Sequence, residues 1–179
     1  MTFLKLPVLI ILTLLFVTCR KKDEVDLTQY KASGYLLGDN WQASNANFSL
    51  AYNNTIWFNI SKYNERHELR QQIGLLNLNV SQDTIFLKTW EKGATLDSII
   101  KPGANFSTFL SDGDLLGDIY KLLEDGTFKN WVLLKKVSEN EISGKFQVAF
   151  VIKDRLYPFI KTLPDTIYFT KGEFLARRR

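Results

Sequence analysis

Between Glu141 and Lys153 the chain alternates: Ile142, Phe146, Val148, Phe150 and Ile152 share one parity with Gly144, while Ser143, Lys145 and Gln147 take the other. A period of two sends successive side chains to opposite faces of an extended backbone, so this run is a strand with one buried side. Ile56, Phe58 and Ile60 alternate with Trp57, Asn59 and Ser61 in the same way. Shorter runs of the same kind predict strands over 33–37, 41–50, 71–80, 85–88, 106–110, 118–123, 128–137 and 166–174. Turn-forming residues separate them: Gly38-Asp39-Asn40, Asn53-Asn54, Lys101-Pro102-Gly103, Glu124-Asp125-Gly126 and Glu139-Asn140. Leu115–Leu123 carries apolar positions that a helical turn could use, but Gly117 and the following Asp125-Gly126 favour a hairpin. Many short strands and no persuasive amphipathic helix predict an all-β domain, an antiparallel β-sandwich or an open barrel.

The N-terminus obeys a different rule. Lys5 precedes an apolar run from Leu6 to Thr18, then come Cys19, the sole cysteine, and the charged string Arg20-Lys21-Lys22-Asp23-Glu24. The run is shorter than the roughly 18 apolar residues a bilayer span needs, which fits an export signal. Phe16-Val17-Thr18-Cys19 resembles a loose lipobox, with Val17 and Thr18 in pattern and Phe16 departing from it. The resemblance implies cleavage after residue 18, acylation of Cys19, and anchoring in a bacterial outer membrane, facing either the cell surface or the periplasm. Each buried methylene contributes about 0.8 kcal/mol, so more than one acyl chain makes such an anchor effectively permanent. Residues 1–18 then form the signal peptide, 19–31 a lipidated cysteine and polar tether, and 32–179 a single β domain. With Cys19 acylated no thiol remains for a disulfide, and the core alone must supply stability.

Net charge is misleading until it is mapped. The sequence pI is about 9.1. Of 23 Lys and Arg, seven lie at residues 5, 20–22 and 177–179, leaving 16 in residues 23–176 against 19 Asp and Glu, a net of −3. The body is mildly acidic and offers no basic stripe, which excludes nucleic acid as an expected partner. Arg177-Arg178-Arg179 reads first as a solvated terminus and second as an interaction tail.

Several segments carry a further resemblance. Gly34-Tyr35-Leu36-Leu37-Gly38-Asp39-Asn40-Trp41-Gln42-Ala43 is similar to the "Gly-x-Leu-x-Gly-x-x-Trp-x-Ala" opening of a family of small Bacteroidota-type lipoproteins. Ser111-Asp112-Gly113-Asp114, Ile142–Phe146 and Asp165–Phe174 resemble its later motifs, in the same order. The resemblance implies an all-β mature domain at the cell envelope and brings no activity with it. Asp83-Thr84-Ile85, Asp97-Ser98-Ile99 and Asp165-Thr166-Ile167 resemble the O-glycosylation acceptor pattern of exported proteins in such bacteria, making Thr84, Ser98 and Thr166 candidate sites. An Asp-Thr turn entering a strand accounts for two of the three equally well.

Candidate chemistry is sparse. His67, the single histidine, sits in the polar loop Asn64–Glu68 with no nucleophile elbow nearby. One His without free Cys cannot furnish an ordinary zinc set. Asp112, Asp114 and Asp118 fall within seven residues, but Leu116 occupies the place of a third calcium ligand, so a polar turn is the better reading. Glu139 and Glu141 flank a turn and point to solvent. No metal or cofactor is expected. Of Trp41, Trp57, Trp90 and Trp131, burial is the default. Trp41 is expected to plug one end of the fold and Trp131 to lie core-like in line with Leu133 and Val137. Trp57 shares a face with Asn59 and Ser61 and is the candidate ligand surface. The expectation is a non-catalytic binding or envelope-interaction module, with a glycan-binding accessory protein and a carboxylate hydrolase as alternatives.

Overall fold

The computed structural model describes residues 29, 31–51, 54–81, 83–89, 101–160 and 162–179. The signal segment 1–18, Cys19 and the tether through residue 28 lie outside them. Eleven strands follow in order: β1 (Ala32–Leu36), β2 (Asp39–Ala43), β3 (Asn45–Leu50), β4 (Thr55–Tyr63), β5 (Leu69–Asn79), β6 (Thr84–Phe86), β7 (Gly103–Phe109), β8 (Leu116–Leu122), β9 (Trp131–Lys136), β10 (Glu141–Arg155) and β11 (Thr166–Arg178). The ambiguous stretch around Leu115–Leu123 is a strand, β8, as the hairpin reading required.

One expected strand is two. The run 41–50 breaks at Ser44, because Trp41 and Ala43 are buried on one parity while Ala46 and Phe48 are buried on the other. A single strand cannot present both sets to one core, so the chain turns a corner there. β2 pairs with β1, and β3 crosses to β4. The β1–β2 turn also sits earlier than Gly38-Asp39-Asn40 suggests. It is made by Leu37 and Gly38, with φ of 55° and 93°. Two positive φ values match the twist of a tight hairpin.

The strands form one mixed sheet with ring-like connectivity. The series β11–β3–β4–β5–β7–β8–β10 returns to β11 through the β10–β11 pairing. Outside the ring, β1 and β2 continue from β11, and β9 and β6 continue from β10. The expected antiparallel arrangement holds in every pairing but one. β11 meets β3 in parallel, Arg177 opposite Asn47 and Arg178 opposite Phe48. Two long strands make the ring possible, β10 with 15 residues and β11 with 13. Bulges at Phe146–Val148 and Ile152–Asp154 bend β10, so that its first half lies beside β9 and its second beside β8.

The core is aromatic and contiguous. Phe106 touches Tyr120, Phe150 and Phe169 at centroid distances of 5.4, 5.8 and 5.3 Å, and Phe169 meets Trp41 at 5.0 Å. Beyond them Phe58 contacts Phe48 and Phe174. Two glycines matter here. Gly144 faces Phe174 and Gly172 faces Phe146 across the β10–β11 ladder, and each ring lies where a Cβ on its opposing glycine would be. Each phenylalanine covers the gap in the other strand, the reciprocal form of an aromatic over a strand glycine.

Candidate binding face

The outward side of β3, β4, β5 and β7 is almost free of charge. Inward Ala46, Phe48, Phe58, Ile60, Ile73 and Phe106 fix the parity, which leaves Asn45, Asn47 and Ser49 on β3 facing out beside Ser61, Asn59 and Trp57 on β4. Gln72 and Gly74 continue the face on β5, opposite Ser107 and Asn105 on β7. The Asn105 carboxamide lies over Gly74, where any side chain would collide with it. The result is a shelf of amides and hydroxyls. These groups both donate and accept hydrogen bonds.

Trp57 stands at one end of this shelf, 44% exposed. Its position is built rather than incidental. β4 and β5 shift register between Ile56 and Phe58, so Trp57 faces the two residues Leu76 and Asn77 instead of one. Asn77 takes φ of 56°, which asparagine tolerates better than most residues. The bulge aims its carboxamide at the ring, and Trp57 Nε1 donates to Asn77 Oδ1 at 2.7 Å. Asn77 is itself buried and donates to Lys101 O. The indole is therefore held at its polar edge while its apolar body meets solvent.

Next to the shelf opens a cavity of about 440 Å³, lined by Asn47, Asn59, Ser61, Gln72 and the terminal Arg177–Arg179. The arginine tail is not a loose end. β11 extends to Arg178, Arg178 N donates to Asn140 O, and Arg179 N donates to Phe48 O, both at 2.8 Å. Its signal was partly legible: after a change of phase near Lys171, with φ of 49°, Ala176 continues the inward row of Phe174 past the point where the predicted strand stopped.

A second polar cluster lies inside. Asp118 is 1% exposed, and its Oδ1 accepts from Arg155 Nε at 3.1 Å, while a second guanidinium nitrogen of Arg155 reaches Asp165 Oδ1 at 3.0 Å. Thr162 Oγ1 lies 2.9 Å from Asp118 Oδ2 and 3.0 Å from Thr108 Oγ1, and Asp118 N donates to Thr108 Oγ1 at 2.9 Å. A hydroxyl has one proton and an ionised carboxylate has none, so Thr162 donates to Asp118 and Thr108 donates to Thr162. Tyr120 adds a hydrogen bond to Pro164 O at 3.0 Å. Its hydroxyl pKa is pushed up to about 12, chiefly by burial and then by the nearby Asp118 charge. The cluster fastens the segment 156–165 to β7 and β8. It engages both carboxylates through Arg155.

The other sequence candidates scatter. Asp118 points inward to Arg155, whereas Asp112 is an exposed turn residue whose Oδ1 accepts from Asp114 N and Leu115 N. The three aspartates are not brought together. Among the described residues no group of three or more His, Cys, Asp and Glu is placed to hold a metal. His67 is exposed in the turn after β4, with φ of 60°. Glu139 is exposed and Glu141 opens β10. Trp41 is buried as expected, with Nε1 donating to Gln71 Oε1 at 2.8 Å. Trp131 is a correction. Val132 and Leu134 are the inward residues of β9, so Trp131 lies on the outward parity with exposed Leu133 and Val137. Thr84 is exposed at the start of β6, and Thr166 is half-buried at the start of β11. Cys19, Trp90 and Ser98 lie outside the described residues. No protein-family model, curated protein or solved structure matches the chain.

Proposed function

We propose that this protein is a non-catalytic saccharide-binding module, tethered to the bacterial envelope through a lipid on Cys19. One observation carries the binding half: an indole held by its N–H at the head of an uncharged shelf of Asn, Gln and Ser side chains. Sugar rings present apolar C–H faces and rims of hydroxyls. An exposed aromatic plane matches the first, and side-chain amides match the second. The partial exposure of Trp57 within an otherwise alternating strand supports the same reading, as does the bulge that fixes it. The ring-like connectivity favours a barrel over a sandwich, and the small Bacteroidota-type lipoprotein resemblance supports the envelope location, at the surface or facing the periplasm.

Titrating the full protein in detergent with a panel of oligosaccharides, followed by calorimetry, tests the binding half. Trp57→Ala is expected to weaken saccharide affinity by about tenfold or more, the loss of one stacked aromatic and its packing. Binding that survives Trp57→Ala at full strength rejects the site. The anchoring half is tested separately by mass spectrometry of the native N-terminus. It is expected to begin at Cys19 with acyl chains attached, and an unmodified peptide running from Lys5 through Arg20 rejects the anchor.

A further inference from the structure

We infer that the saccharide is an acidic one, with carboxylate or sulfate groups that seat against Arg177 and Arg179, on the Asn47 side of the sheet, while a ring rests on Trp57. This deepens the saccharide reading and rests on it. The cavity of about 440 Å³ beside the shelf has three arginines in its lining and no Asp or Glu; the nearest acid in the register is Glu141, opposite Arg177 on β10. Its volume lies in the range of small-ligand pockets. Guanidinium groups recognise planar or multi-oxygen anions through paired N–H donors, which makes arginine the better choice where geometry as well as charge is read.

The register places the two recognition elements side by side. β3 is the hinge of the arrangement: it lies between β4, which carries Trp57, and the end of β11, which carries the arginines. Arg177 stands opposite Asn47, and Asn47 stands opposite Asn59, two residues from Trp57 on β4. Two strand residues span about 7 Å and the two interstrand steps about 10 Å, so a short oligosaccharide reaches both. The arginine backbone is pinned by Asn140 O and Phe48 O, so part of the ordering cost of binding is met before the ligand arrives.

Charge placement sharpens the expectation. The body between residues 23 and 176 carries 16 basic and 19 acidic residues, net −3. A body of that net charge gives a polyanion no general attraction, so an acid preference points to a local basic site such as the β11 end.

The experiment uses the full protein in detergent and calorimetric titration along two arms. One arm compares oligogalacturonate with its methyl ester, the other dextran sulfate with dextran. In at least one arm the acidic chain is expected to bind about tenfold tighter than its neutral counterpart, and its affinity is expected to fall as salt rises. Arg177→Gln combined with Arg179→Gln is expected to erase that preference and leave neutral-chain binding unchanged. Lys135→Gln, an exposed charge on β9, is expected to change nothing. Preference in a single arm supports the inference and identifies the acid.

Equal affinity for acidic and neutral chains overturns the acidic ligand. So does an acid preference that persists in the double arginine variant. Either result leaves saccharide binding standing if Trp57→Ala still weakens it. Failure of every chain to bind overturns both. Salt dependence in the unmutated protein keeps the test decisive if the arginine variant folds poorly.

Discussion

Phe106→Ala is expected to lower the thermal midpoint by roughly 10 °C. The ring is fully buried and is the only one to touch Tyr120, Phe150 and Phe169 together among the described residues. Truncation forfeits the transfer free energy of the phenyl group and leaves a hole walled by three aromatics. Rings fixed on three different strands cannot collapse into it without moving the sheet. Phe-to-Ala changes in such settings cost about 3–5 kcal/mol, and in a domain of this size each kcal/mol moves the midpoint by about 2–4 °C. Phe106→Leu keeps most of the volume and is expected to cost less than half as much. Phe86→Ala is the control. Its ring is 59% exposed on the short outer strand β6, so its removal is expected to fall within about 0.5 kcal/mol of neutral. A thermal melt of the three variants decides the matter, and an unshifted midpoint for Phe106→Ala would mean that the aromatic core does not hold the ring together.

What the sequence disclosed of this core was its parity. Phe106, Phe146, Phe150 and Phe169 all lie on the apolar beat of runs that become strands, because burial on one side of a sheet writes a period of two into the chain. The same logic located the face proposed for binding: Trp57 broke the pattern by standing on the polar beat with Asn59 and Ser61. Closure was not legible. The corner at Ser44 was written as a change of phase, yet a change of phase does not say which strand β3 joins next. Its parallel contact with Arg177 and Arg178 arises between residues more than a hundred positions apart. Trp131 misled for a related reason. Leu133 and Val137 made its side of β9 look apolar, but Val132 and Leu134 supply the inward row, and only the neighbours of a strand decide which of two apolar rows is covered.

Asp118 shows the limit most sharply, and it carries the second large effect. In sequence it closes an acidic run and looks like a turn residue or a weak metal ligand. In the fold its neighbours Gly117 and Tyr120 are drawn into β8, and the carboxylate is carried inside to meet Arg155 from β10. Asp118→Ala is expected to cost about 3 kcal/mol, or a midpoint drop of several degrees, because a buried ionic group is removed and its partners are left unsatisfied. Thr162 loses its acceptor, Thr108 loses the order imposed through Thr162, and Arg155 loses its buried carboxylate while keeping Asp165 at the surface. Asp118→Asn retains an oxygen for Arg155 Nε and an amide that Thr162 can accept from once its hydroxyl turns to Thr108. It is expected to cost about 1 kcal/mol, since the lost component is charge rather than shape. The two variants therefore separate satisfaction from ionisation. The segment 156–165 is tied down through Thr162 and Pro164, so its susceptibility to proteolysis is expected to rise well before the global midpoint in Asp118→Ala and hardly at all in Asp118→Asn. Equal melting and equal nicking of the two variants would show that the aspartate acts through its charge alone, and that the threonine relay contributes nothing to holding the segment.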